Sequence, residues 1–125
     1  MEAISIAPTD ETPAVELNKG TNTFEISGKS LPEDVTSFYD PILEWLDGYL
    51  SDPNPSTDFT FKMEYFNTAS SKMILDILLK LEEIHEEGNK VLVKWYYRDD
   101  DEDMEEAGEE YADIVEIPFE QIPFS

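Results

Sequence analysis

Three short stretches in the first third of the chain alternate apolar with polar residues at period two: Ile4-Ser5-Ile6, Ala14-Val15-Glu16-Leu17 and Thr23-Phe24-Glu25-Ile26. Such alternation predicts half-buried strands. Asn18-Lys19-Gly20-Thr21-Asn22 separates the second from the third, and its glycine suits a hairpin loop. After Gly28-Lys29-Ser30, Ser30 is placed to cap a helix, with Glu33 three residues on and Pro32 in the first turn. The helix that follows carries Phe38, Leu43, Trp45, Leu46 and Leu50 mainly on one side. Pro41 lacks an amide donor and should break it near Asp40, so two helical pieces are expected.

The prolines of Ser51-Asp52-Pro53-Asn54-Pro55-Ser56 make a loop. From Phe59 to Phe66 the alternation returns, with Phe59, Phe61, Met63 and Tyr65 on one face and Thr60, Lys62 and Glu64 on the other. Asn67-Thr68-Ala69-Ser70-Ser71 supplies capping side chains, and Ile74, Ile77, Leu78, Leu81 and Ile84 recur at helical spacing up to the stop signal Gly88. Val91 to Tyr97 has the β-branched and aromatic density of a central strand. Strand, helix and strand in this order predict a parallel crossover. Nine of the twelve residues from Asp99 to Glu110 are acidic, yet Met104, Ala107, Tyr111 and Ile114 recur at steps of three and four, which favours a solvated helix. The tail from Val115 to Ser125, with Pro118 and Pro123, is expected to pack as irregular structure against the sheet. The fold class is α/β (α+β): a small mixed sheet begun by an antiparallel hairpin and flanked by helices on at least one face.

Composition narrows the function. A length of 125 residues with 40% apolar and 12% aromatic residues suits a single domain over residues 1–125 with its own core. Eight basic against thirty acidic residues leave a formal charge of −22, which argues against nucleic acid and anionic membrane surfaces as partners. Without cysteine there is no disulfide, thiol nucleophile or thiolate zinc site, and the lone His85 cannot build a multi-histidine metal centre. The start Met1-Glu2-Ala3-Ile4-Ser5 has no signal-peptide character and no stretch reaches the roughly 18 apolar residues of a membrane span, so a cytoplasmic location is expected.

Carboxylate pairs are too numerous here to signal catalysis, and no phosphate-binding glycine loop, Ser-His-Asp order or zinc-protease spacing occurs. No enzyme activity and no cofactor are expected. An acidic calcium-responsive protein is the alternative, because Asp99, Asp101, Asp103, Glu105 and Glu110 match positions 1, 3, 5, 7 and 12 of an EF-hand loop. Met104 stands where that loop needs glycine, and a strand precedes it in place of a helix. His85 reads as a cation complementing the end of its helix, and Trp95, Tyr96 and Tyr97 as core. The segment Asn67-Thr68-Ala69-Ser70-Ser71-Lys72 is the most suggestive. A hydroxyl at a helix start directly after a strand is accessible to another protein, and a phosphate there would meet free amides, the positive helix pole and Lys72. From the residue types alone, simple capping by Asn67, Thr68 or Ser70 is the favoured reading.

Ile26-Ser27-Gly28-Lys29-Ser30 with Pro32-Glu33, Phe38-Tyr39-Asp40-Pro41 with Trp45-Leu46 and Tyr49-Leu50, Glu64-Tyr65-Phe66-Asn67-Thr68-Ala69-Ser70-Ser71-Lys72, Trp95-Tyr96-Tyr97 and Asp103-Met104-Glu105-Glu106-Ala107-Gly108-Glu109 together resemble the SiaC family of bacterial regulatory phosphoproteins. The resemblance runs in order over nearly the whole chain. It implies a STAS-like fold, similar to anti-sigma factor antagonists, and a non-enzymatic protein that switches partners. In that scheme a protein kinase phosphorylates a hydroxyl at a helix start and a PP2C-type phosphatase restores it. The unphosphorylated form binds and activates an effector, implied to be a diguanylate cyclase in cyclic-di-GMP control of biofilm formation and aggregation. The phosphoacceptor threonine falls on Thr68, with Ser70 and Ser71 as alternatives. Ala69 stands where serine is expected in many relatives.

Overall fold

A computed structural model describes residues 2–125. Six strands form one sheet in chain order, β1 (Ile4–Ile6), β2 (Ala14–Asn18), β3 (Thr23–Ser30), β4 (Ser56–Phe66), β5 (Lys90–Arg98) and β6 (Phe119–Phe124), with helices α1 (Val35–Leu50), α2 (Thr68–Glu86) and α3 (Glu102–Ile114) between the later strands. β1, β2 and β3 pair antiparallel, the β2–β3 hairpin turning over the Asn18–Asn22 loop. β3, β4, β5 and β6 are parallel, each joined to the next through a helix. The strand, helix and strand over 56–98 are the expected parallel crossover, and Gly88, with φ +100°, ends α2 in a conformation that favours glycine.

One face of the sheet is covered. Phe24, Ile26, Phe59, Phe61, Met63, Val93 and Trp95 are buried together with Tyr39, Ile42, Leu46 and Tyr49 of α1 and Ile74, Ile77, Leu78 and Leu81 of α2. The alternate residues Glu25, Thr60, Lys62, Lys94 and Tyr96 are half-buried or exposed, as expected for a sheet solvated on its other side.

Five expectations change. Ser30 does not cap α1: it is the last residue of β3 and fully buried, and Asp34 is the cap, its Oδ1 accepting the Ser37 amide at 3.1 Å and its Oδ2 the Ser37 hydroxyl at 2.7 Å. Those bonds, the hydroxyl first, hold the Asp34 carboxyl below the ordinary aspartate value. Pro41 does not divide the helix. Ser37, whose carbonyl loses its partner, and Pro41 itself both face solvent, so water can replace the missing bond while Tyr39, Ile42, Trp45, Leu46 and Tyr49 form an unbroken buried stripe. In that stripe Tyr39, Ile42 and Tyr49 take the place expected for Phe38, Leu43 and Leu50, which are only partly buried. The tail is irregular only over residues 115–118: beyond them β6 adds a parallel edge strand to β5, and an edge position tolerates Pro123 because only one side of the strand needs its donors. Finally, Tyr65 is 53% exposed instead of continuing the face of Phe59, Phe61 and Met63. Gly28 pairs with Met63 and Lys29 with Tyr65, so Glu64 is an extra residue, a bulge that reverses the alternation. Phe66 takes the core face, its ring 6.2 Å from that of Trp95.

Candidate functional site

The bulge delivers the chain from β4 into α2 through Asn67. The Asn67 amide donates to the Ser30 carbonyl at 3.0 Å, fixing the junction to β3, and its Oδ1 accepts the Ser70 amide at 2.9 Å. The Ser71 amide donates to the Asn67 carbonyl. Asn67 is therefore the cap, and Thr68 is the first helical residue. With the Ser70 and Ser71 amides engaged, those of Thr68 and Ala69 are the donors without intrahelical partners at this end.

The three candidate hydroxyls differ sharply in environment. Ser70 is fully buried, and its Oγ accepts from Ser30 Oγ at 2.8 Å. Since Ser30 has one proton, which goes to Ser70, Tyr39 must donate to Ser30 across their 2.6 Å contact. Ser71 is half-buried beneath α3, where the Tyr111 hydroxyl donates to its carbonyl at 2.8 Å and contacts its Oγ at 3.2 Å. Thr68 is exposed, and among the described residues its hydroxyl has no hydrogen-bond partner. Burial pushes the Tyr39 and Tyr111 hydroxyls above their ordinary value of 10.0, so both are protonated donors at neutral pH. Lys72 is exposed one helical turn from Thr68, in no ion pair with a described residue.

Truncating the buried relay is informative for stability. Ser70→Ala should cost about 1–2 kcal/mol, because Ser30 and Tyr39 keep their burial but lose the end of their hydrogen-bond chain. Urea unfolding of the variant checks this, and a loss below about 0.3 kcal/mol would show that the relay is dispensable.

Beside Thr68 lies a groove of about 360 Å³ between α2 and α3. Phe66, Leu75, Ala107 and Tyr111 provide its apolar lining, Ile114 is 55% exposed at its edge, and Thr68, Lys72 and Glu110 supply polar boundaries. The helical periodicity of Ala107, Tyr111 and Ile114 was readable in the sequence; that they form one wall of a groove with Thr68 on the other depends on the packing of α3 against the sheet.

The remaining candidates have structural surroundings. Asp101 caps α3 by accepting the Met104 amide at 3.0 Å, and Glu105 Oε2 accepts the Tyr97 hydroxyl at 3.2 Å. The acidic segment is largely helical, and among the described residues no three carboxylate or imidazole groups gather closely enough to hold a metal. The calcium register in the sequence does not become a ligand shell. His85 occupies the last turn of α2, half-buried, with Nδ1 unpartnered among the described residues. Trp95 and Tyr97 are core residues, whereas Tyr96 sits half-buried on the opposite sheet face. Among the described residues no helix is long and apolar enough to cross a membrane.

Comparison with known proteins places this geometry among related chains. The sequence profile described as SiaC family regulatory phosphoprotein matches residues 6–124. An uncharacterised protein of Pseudomonas aeruginosa strain UCBPP-PA14 is 29% identical over 119 residues, covering 95% of this chain and 94% of that protein. The crystal structure of apo-SiaC from Pseudomonas aeruginosa superimposes with a TM-score of 0.89 at 29% identity, over 98% of this chain and 99% of that one. SiaC in the crystal structure of the diguanylate cyclase SiaD in complex with its activator SiaC, also from Pseudomonas aeruginosa, gives 0.91 at 28% identity, over 97% and 99%.

Proposed function

The chain belongs to the SiaC family of regulatory phosphoproteins, and from that premise we propose that it is a non-enzymatic, cytoplasmic, single-domain switch controlled by phosphorylation of Thr68. The unmodified form binds and activates an effector, a diguanylate cyclase in control of biofilm formation and aggregation. A protein kinase adds the phosphate and a PP2C-type phosphatase removes it. The effector assignment draws on the Pseudomonas aeruginosa relative, which is described as the activator of the cyclase it is crystallised with.

The observation that carries this reading is the contrast among the hydroxyls: Thr68 is exposed at the edge of an apolar groove, while Ser70 is sealed in the core and Ser71 lies under Tyr111. A kinase must bring the hydroxyl to its own phosphate donor, which Thr68 permits without local unfolding. Phosphothreonine adds about −1.5 to −2 charges at neutral pH. The free amides of Thr68 and Ala69, the helix pole and Lys72 can stabilise that charge in the free protein. A partner seated in the groove would have to strip water from it beside Glu110, at a cost of several kcal/mol. The fold survives in both states, and only the interface changes.

The test compares unmodified protein with protein carrying genetically encoded phosphothreonine at position 68, titrated against the diguanylate cyclase of the same organism. The phosphorylated form is expected to bind at least a hundredfold more weakly, about 2.8 kcal/mol. Equal affinity of the two forms would refute the switch. Mass-spectrometric mapping after kinase treatment checks the site independently, since phosphate on Ser70 or Ser71 would refute Thr68 as the acceptor.

A further inference from the structure

The chain is poor in cations, and the sheet gathers several of them at one place. A cavity of about 560 Å³ opens at the carboxyl ends of the parallel strands. Lys29 near the end of β3, Lys62 of β4, Arg98 at the end of β5 and Phe124 at the end of β6 line it. Basic residues are about a fifth of all charged residues in the chain, yet they are three of the five charged residues around this cavity, the others being Glu64 and Asp101.

Lys29, Lys62 and Arg98 are exposed, and none forms an ion pair within 4.0 Å among the described residues, whereas Lys19, Lys80 and Lys94 each do. Asp101 directs Oδ1 to the Met104 amide. The cations are positioned against an aromatic ring: Lys62 Nζ lies 4.6 Å and the Arg98 guanidinium carbon 5.9 Å from the centre of Phe124. The backbone around them is tied down as well, since the Asp99 amide donates to the Phe124 carbonyl and the Asp101 amide to the Arg98 carbonyl. The β3–β4 bulge, with Gly28 at φ +109°, lies on the same cavity wall.

We propose that this cavity binds a small phosphate ester, its phosphate held by Lys62, Arg98 and Lys29 and its organic part set against Phe124. A guanidinium fork and two ammonium groups suit phosphate oxygens, and the volume falls within the range of small-ligand sites. The location agrees with the general placement of ligands beyond the carboxyl ends of parallel strands. The overall charge of −22 does not forbid it, because exposed charges farther than about 8 Å are largely screened at physiological salt, which leaves at the cavity itself three cations against the carboxylates of Glu64 and Asp101. Lys62 and Arg98 flank the exposed side of the sheet, whereas the α2–α3 groove belongs to the helical side, so the site does not depend on the Thr68 reading.

Calorimetric titration of the unmodified full chain with inorganic pyrophosphate and with adenosine diphosphate, and no kinase or cyclase present, tests the assignment. Saturable one-to-one binding is expected below about 1 mM, with adenosine diphosphate at least as tight as pyrophosphate and citrate at least tenfold weaker than either. The double variant Lys62→Gln/Arg98→Gln should lose at least tenfold in affinity, while the control Lys90→Gln retains it. All three residues are exposed, and unchanged circular dichroism confirms that the comparison concerns folded protein. No saturation by about 5 mM, equal affinities in the double variant and the control, or citrate binding as well as the phosphates would each overturn the proposal.

Discussion

Trp95→Ala is expected to cost about 3–5 kcal/mol of folding stability, a large share of the roughly 5–15 kcal/mol available to a domain of this size. Trp95 is fully buried at the centre of an aromatic cluster, with ring centres of Phe61 and Tyr111 at 5.5 Å and of Phe66 and Phe119 at 6.2 Å. Its indole N–H donates to the Met104 carbonyl at 3.0 Å. Opposite the ring, α3 presents Gly108, where a Cβ would stand only 2.6 Å from Trp95 Cδ1. The acidic helix has few apolar residues of its own, Met104 and Tyr111 being the buried ones, so Trp95 is the surface that holds it. Chemical unfolding measures the loss, and hydrogen exchange should show α3 opening before the rest of the fold. A loss below about 1 kcal/mol would mean that the neighbouring rings collapse into the vacated space. Gly108→Ala approaches the same contact from the other side: the ring cannot yield without disturbing four aromatic neighbours, so α3 must shift.

Thr68→Ala and Thr68→Asp are expected to separate phosphate acceptance from effector binding. Because Asn67 is the cap and Thr68 only the first helical residue, Thr68→Ala should change stability by no more than about 0.5 kcal/mol, the usual range for an exposed position. It should accept no phosphate at residue 68 and bind the cyclase as the wild type does. Thr68→Asp places one negative charge beside the groove, with fewer acceptor oxygens than phosphate, and should weaken binding ten- to hundredfold, about 1.4–2.8 kcal/mol. Affinities of the three proteins for the cyclase, measured at one ionic strength, decide the matter. Retention of wild-type affinity by Thr68→Asp would show that charge at this position does not reach the interface.

The Thr68 junction was legible in the sequence because its signals are local. An alternating strand, a run of capping side chains and an apolar repeat at helical spacing lie consecutively from Phe59 to Ile84, and each depends on residues within a few positions of one another. The cation cavity had no such signal. Lys29, Lys62 and Arg98 are far apart in the chain, and only the alignment of three parallel strands brings them to one wall.

By itself the sequence determined the order of the first five strands and the helices among them, the hairpin start, the parallel crossover through α2 and the presence of a helix in the acidic segment, since periodicity, turn residues and caps are properties of neighbouring residues. Only the tertiary structure decided that Pro41 lies harmlessly on a solvent face, that Phe119–Phe124 becomes a sixth strand, and that a bulge turns Tyr65 outward and Phe66 inward. It alone also distinguished the hydroxyls: Ser70 is spent on Ser30, forty residues away, and Ser71 meets Tyr111, forty residues on in the other direction, leaving Thr68 exposed. Burial and strand pairing are relations between distant parts of the chain, so a residue's chemical type sets what it can bond to, and the fold sets whether that partner is a neighbouring element or an approaching protein.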